Sequence, residues 1–150
     1  MFDNPNVPDD NGWTTMHHAA ARGRMEVVKF LATLLEDSNF PDKEGHTPIA
    51  WAAMEGKLEP IKFLANKTNA VNAPGEDGMT PIHHAAIEGH LEVIKFLAPL
   101  TENPLAPDND GKTPLDYAIE NRYANPNQYD ECIRILNSST RAPENKNVKN

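Results

Sequence analysis

Glycine recurs at an interval of 33 residues along this chain, at Gly12, Gly45, Gly78 and Gly111. A second series, Gly23, Gly56 and Gly89, keeps the same interval, as do Pro8, Pro41, Pro74 and Pro107. Leu31, Leu64 and Leu97 follow it too, each inside a repeated Lys-Phe-Leu-Ala. Separate columns with one shared period define an internal repeat. Periods of this length belong to chains built from small units stacked in line, each of which cannot bury its apolar face alone.

Each unit reads as a turn followed by two short helices. Pro-Asp-Asn-Asp-Gly at 107–111 and its equivalents gather the residues that favour turns, by presetting φ, tolerating left-handed backbone or bonding to their own main chain. Thr-Pro then opens a helix at Thr47, Thr80 and Thr113, where the hydroxyl accepts an otherwise orphan amide and proline at the first helical position sacrifices no hydrogen bond. The pairs Ala19-Ala20, Ala52-Ala53 and Ala85-Ala86 allow close helix approach, and Gly23, Gly56 and Gly89 end the first helix. The second helix carries apolar residues at helical spacing: Met25, Val28 and Leu31, then Leu58, Ile61 and Leu64, then Leu91, Ile94 and Leu97.

Gly-His-Thr-Pro-Ile-Ala-Trp-Ala-Ala at 45–53 and Gly-Met-Thr-Pro-Ile-His-His-Ala-Ala at 78–86 closely resemble the ankyrin signature, as does the helix start Gly-His-Leu-Glu-Val-Ile-Lys at 89–95. The resemblance covers about residues 8–136. It implies an all-α repeat solenoid with β-hairpin fingers, an ankyrin-repeat stack whose hairpin tips and first helices line a concave binding face. The repeats are expected at 10–42, 43–75, 76–108 and 109–137, preceded by residues 1–9 and followed by a disordered polar tail at 138–150. Several positions depart from the signature. Thr15 stands in place of proline and Ala50 in place of histidine, and Leu35, Thr68 and Thr101 replace the glycine after the second helix, predicting less regular connections. Alignment of the last unit resumes at Glu131–Leu136, 39 residues after Glu92–Leu97, so six residues around Ala124–Tyr129 are inserted between its helices. Asp116, Asn121 and Arg122 make this unit polar, as a C-terminal cap requires. Asp3-Asn4-Pro5 and Pro8-Asp9 match Glu102-Asn103-Pro104 and Pro107-Asp108. They read either as the end of a preceding repeat or as an extension of a self-capping first one.

Composition narrows the function. A net charge of −8 argues against nucleic acid, whose phosphates need clustered Lys and Arg. No apolar stretch is long enough to cross a membrane. The N-terminus lacks the basic start and apolar core of a signal peptide, and a single cysteine excludes an intramolecular disulfide, so a cytoplasmic setting is expected, with the nucleus as an alternative. His17-His18 and His83-His84 lie two repeats apart, and adjacent helical residues diverge, so no metal site is assigned. In the family, His17 and His83 fall on the histidine that orients the hairpin. Asp108-Asn109-Asp110-Gly111 resembles a calcium-loop start, but the twelfth position is Ile119 rather than glutamate. Ser38, Ser138 and Ser139 lack a nucleophile setting, and Cys132 replaces the apolar Val93. No catalytic residue, metal or cofactor is assigned, and the chain is expected to be a monomeric, non-enzymatic protein-binding module. The alternative is a targeting domain within a larger channel, enzyme or scaffold.

The resemblance implies contact residues beside the finger glycine and at the end of each first helix. They are Asp10, Asn11, Trp13, Ala21 and Arg22, then Lys43, Glu44, His46, Met54 and Glu55, then Glu76, Asp77, Met79, Ile87 and Glu88, and last Asn109, Asp110, Lys112, Glu120 and Asn121. Trp51 shares a column with His18, His84 and Tyr117, which reads equally as packing or as groove edge. On the second helices Glu26/Lys29, Glu59/Lys62, Glu92/Lys95 and Glu131/Arg134 balance one another at i, i+3. Excess acid therefore falls on the fingers and groove, at Asp9, Asp10, Asp42, Glu44, Glu55, Glu76, Asp77, Glu88, Asp108, Asp110 and Glu120, and predicts a basic, partly apolar protein partner. Asn6, Asn39 and Asn72 occupy the position that family members offer to an asparaginyl hydroxylase.

Overall fold

A computed structural model describes residues 4–139. Eight α-helices form four consecutive pairs: α1 (Thr15–Ala21) with α2 (Met25–Leu34), α3 (Pro48–Met54) with α4 (Leu58–Ala65), α5 (Pro81–Glu88) with α6 (Leu91–Leu97), and α7 (Pro114–Asn121) with α8 (Pro126–Ser138). The first helices form one layer in the order α1, α3, α5, α7 and the second helices a second layer behind it. Ala20, Ala52, Ala53, Ala85, Ala86 and Ala118 are fully buried, so first helices approach backbone to backbone. Between the layers lie Val28, Ile49, Ile61, Leu64, Ile82, Ile94, Leu97, Cys132 and Leu136, in one continuous core. Contact between neighbouring first helices is more extensive than between neighbouring second helices.

Local signals act as the residue pattern predicts. Pro48, Pro81 and Pro114 sit in the first turn of their helices, and Thr47 and Thr113 accept the amides of Ala50 and Asp116. Gly23, Gly56 and Gly89 adopt φ of +69°, +67° and +70° where the first helix ends. A side chain at Gly56 would also meet His90, which crosses it to reach the Met54 carbonyl at 2.9 Å. The connections without a terminal glycine differ from one another. Leu35 is extended, whereas the hydroxyls of Thr68 and Thr101 donate to the carbonyls of Leu64 and Leu97 at 3.4 and 2.8 Å.

Three expectations need correction. Among the described residues no finger contains a β-strand. Each is a tight turn closed by one pair of backbone bonds, as in Gly45 to Asp42 and Asp42 to His46, too short for a ladder. The inserted residues of the fourth unit do not all lie between its helices: α8 begins at Pro126, so most of them add a turn to the helix itself. That helix also continues through Ser138, so the tail does not begin at 138; residues 140–150 lie outside the described residues.

Candidate functional site

An aspartate braces three of the four fingers from within. Asp42 Oδ1 accepts the amides of Glu44 and His46, both at 2.9 Å, while Oδ2 accepts the indole N–H of Trp51 at 2.7 Å. Asp108 repeats this with the amides of Asp110 and Lys112 and the hydroxyl of Tyr117 at 2.6 Å. Asp9 does the same with Asn11, Trp13 and, at 3.4 Å, His18. Burial alone would raise the Asp108 carboxyl, yet the hydrogen bonds from Tyr117 and the two amides hold it below its ordinary value. Both oxygens of each of these three aspartates thus accept hydrogen bonds within the repeat unit.

Neighbouring fingers are also bonded to one another. The amides of Lys43, Glu76 and Asn109 donate to the carbonyls of Asn11, Glu44 and Asp77 at 3.3, 2.8 and 3.0 Å. Lys43 Nζ adds a bond to the Asp10 carbonyl at 2.6 Å, and Asn109 Nδ2 one to the Glu76 carbonyl at 2.7 Å. The glycine of each finger makes this approach possible: a side chain on Gly12 would stand 2.6 Å from the Lys43 amide. The tips thus form one continuous strip.

The third unit breaks the pattern. Gly75 replaces the bracing aspartate, and His46 of the preceding finger fills the space, so a Cβ at Gly75 would lie 2.6 Å from its ring. His46 stacks edge-on to His84, centroids 5.1 Å apart, with Asp77 at 3.4 Å and Glu44 at 3.6 Å from its ring nitrogens. His84, deprived of the carboxylate that its column partners enjoy, has an Nε2 with no hydrogen-bond partner. Burial, then the neighbouring His46, lower its pKa to about 4. His17 and His83 have the orienting role that the resemblance implies: Nδ1 of each meets the backbone amide of Thr14 or Thr80 at 3.1 Å and its hydroxyl at 2.9 Å.

Of the residues assigned to the binding face, Asp10, Asn11, Lys43, Glu44, Glu76, Asp77, Asn109 and Asp110 stand exposed along the strip of tips, and Arg22, Glu55, Glu88 and Glu120 are exposed at the first-helix ends. Trp13 and Trp51 lie half-buried against each other, centroids 4.2 Å apart, beside a cleft of about 410 Å3 shared with Asp10, Asn11, Asp42, Lys43 and Glu44. Met54, Met79 and Ile87 are half-buried. Three residues are not available as assigned, the first being Ala21, which is buried at the end of α1. His46 is buried, with only 7% exposure, because it substitutes for the missing aspartate. Asn121 is drawn into the stack, donating to the Ile87 carbonyl at 3.1 Å. Lys112 pairs with Glu120 at 2.9 Å over the Tyr117 ring, so this lysine and glutamate neutralise each other. Among the asparagines, Asn39 is buried, and its amide donates to the Thr68 hydroxyl. Asn72 accepts the Glu102 amide at 3.0 Å. The sequence left His84 open between packing and groove edge and did not assign His90, and both line a first-helix cleft with Met54, Glu55, Ile87 and Glu88. The signal was present in the Pro-Asp, Pro-Asp, Pro-Gly, Pro-Asp column at 8–9, 41–42, 74–75 and 107–108.

A two-layer stack of helix pairs with turn fingers in register defines a helical repeat protein. The family description "Ankyrin repeats (3 copies)" matches residues 2–75 and again 66–150, and the chain belongs to the ankyrin-repeat family. No curated protein matches it. Ankyrin repeats are generally protein–protein interaction modules and typically non-catalytic. Among the described residues no helix is long and apolar enough to cross a membrane.

Proposed function

We propose that the strip of finger tips and the adjoining first helices bind a basic, partly apolar segment of another protein. The observation that carries this reading is where charge is left uncompensated. On the second helices Glu59–Lys62, Glu92–Lys95 and Glu131–Arg134 pair at 3.4, 3.1 and 2.9 Å. On the opposite face Asp10, Glu44, Glu55, Glu76, Glu88 and Asp110 form no ion pair with Lys or Arg among the described residues. Trp13 and Trp51 add a rigid aromatic surface of the kind that dominates interface energetics. A Trp13→Ala/Trp51→Ala/Met79→Ala variant should lose at least about tenfold in affinity for a partner captured by cross-linking, since hot-spot truncation commonly has this effect. Binding should also weaken as salt is raised. Full retained affinity would reject the face, and salt-insensitive binding would reject the charge argument.

A second reading, membership in a longer array, is favoured by α2. Val27, Phe30 and Leu34 are exposed there, whereas Phe63, the equivalent of Phe30, packs on the core beside Met25 and Lys29 of the preceding unit.

A further inference from the structure

The outer side of α1 and α2 lies open at positions whose equivalents are buried in every later unit. Thr15 is exposed, whereas Pro48, Pro81 and Pro114 in its column are buried. Val27 is 41% exposed, whereas Pro60, Val93 and Cys132 are buried. In each later unit the cover is the preceding first helix: α1 lies on α3, α3 on α5 and α5 on α7. The units also show how the end of that covering helix is held. His90, in the column of Arg24, meets the Met54 carbonyl at 2.9 Å, and Tyr129 in the same column donates to the Ile87 carbonyl at 2.6 Å. Asn121, in the column of Arg22, donates to the Ile87 carbonyl at 3.1 Å. Met54 and Ile87 lie in the last turns of α3 and α5, where carbonyls have no partner within the helix. Arg22 and Arg24 therefore stand where the later units place donors to a helix C-terminus. Neither forms an ion pair among the described residues. The Arg24 side chain donates no hydrogen bond among them, and that of Arg22 reaches only the His18 ring at 3.5 Å. With Thr15, His18, Ala19 and Val27 the two arginines border an open groove of about 410 Å3.

We propose that this groove docks one short α-helix of another protein, laid parallel to α1 with its C-terminal end at Arg22 and Arg24. The surface is separate from the finger strip, and the helix comes from a partner rather than from a longer array. Shape favours a helix with small residues on its apolar face. Ala19 is the equivalent of Ala52, Ala85 and Ala118, through which the first helices approach one another closely, and Val27 adds an apolar wall. Charge fixes the direction. The C-terminal end of a helix carries partial negative charge, and a chain that ends there adds a full carboxylate. Two guanidiniums without other partners stabilise both, and their planar forks suit a carboxylate. A helix laid the other way would bring its positive end to the arginines.

The probe is the helical peptide acetyl-Ser-Pro-Glu-Ala-Ala-Leu-Lys-Ala-Ala-Leu-Ala-Ala, its Glu and Lys side chains joined as a lactam, ending in a free carboxylate or in an amide. Binding to the full 150-residue chain is followed by NMR. Saturable shifts should centre on Thr15, Ala19, Arg22, Arg24 and Val27. The carboxylate form should bind at least about fivefold more tightly than the amide, the margin of a charge-assisted hydrogen bond. In an Arg22→Gln/Arg24→Gln variant, whose exposed positions leave the circular dichroism unchanged, the two forms should bind equally. Val27→Glu, also at an exposed position, should abolish binding of both. A nitroxide on the N-terminal end of the probe should broaden Thr15 before Arg24. Phe30→Lys should leave binding unchanged, because Phe30 belongs to the second-helix row; loss of binding there would favour the helix pair of a longer array and overturn the single-helix site. Equal binding of the two forms to the unaltered chain, full affinity in Val27→Glu, or broadening of Arg24 first would each overturn the proposal. Shifts centred on the finger tips would overturn it while supporting the finger strip as the binding face. A free chain whose sedimentation rises with concentration, and no longer does so in Val27→Glu, would show that a second copy fills the groove and would overturn the partner helix.

Discussion

A single column shows how one side chain decides what the next can do. Aspartate at positions 9, 42 and 108 accepts two amides of its own finger and one donor from the first helix, so the donor is an indole, a phenol or an imidazole as the unit requires. Where glycine replaces it at 75, the helix residue His84 loses its acceptor and is buried against His46 instead. Three histidines, His17, His83 and His84, have pKa values lowered chiefly by burial, His84 from 6.5 to about 4. Between those values the unfolded chain binds a proton that folded His84 refuses, so stability rises with pH across the window. The contribution is complete above the unfolded value near 6.5 and is lost as pH falls toward 4. The thermal midpoint should therefore drop steadily from pH 7 to pH 4.5, and a His84→Asn variant should show a shallower slope whatever its midpoint at pH 7. An unchanged slope would mean that His84 does not titrate in this way.

Elements carry the next level of information, and the fourth unit is the instructive case. The resumption of alignment at Glu131 located six added residues but not their conformation. Pro126 at the start of α8 favours helix, so the extra segment lengthens that helix to 13 residues. The added turn places Tyr129 and Gln128 over Gly89, where they satisfy carbonyls at the end of α5 much as His90 satisfies that of Met54 at the end of α3. The insertion thus restores a back-reaching contact in place of an ordinary second-helix start. Tyr129→Phe keeps the ring in the core and removes the 2.6 Å bond to the Ile87 carbonyl. Its urea midpoint should fall by the equivalent of about 1 kcal/mol, the usual net contribution of such a bond. No change would mean that water replaces the phenol there.

At the scale of the molecule, the same residue type has a different role according to its place in the stack. Phe30 is 62% exposed at the first unit, whereas Phe63 is packed on the core because a preceding pair of helices lies beside it. Phe30→Lys should alter stability by no more than about 0.5 kcal/mol, as surface changes do. Phe63→Lys should cost several times more through lost burial and a partly buried charge. Equal effects in urea titrations would show that the first unit's outer surface is covered.

The period of 33, the turn chemistry and the helix caps were legible because they are local rules repeated along the chain. They were enough to establish the layered stack, the ends of the first helices and the orienting histidines, and to place Cys132 in the core. The finger residues were identified by position, but their availability was not. His46 reads as a finger tip in its own unit and becomes buried only because the next unit has glycine at 75. Asp9, Asp42 and Asp108 read as part of the acidic surface, and only the structure shows that their oxygens hold the turns together. The groove beside α1 likewise emerges from Thr15 and Val27 lying open where Pro48 and Pro60 are buried under the preceding unit. What the sequence alone determined is the identity of each unit, since turns, caps and helix faces depend on residues a few positions apart. What only the tertiary structure decided is which side chains are left without partners, because that depends on contacts between residues about 30 positions apart across a repeat interface.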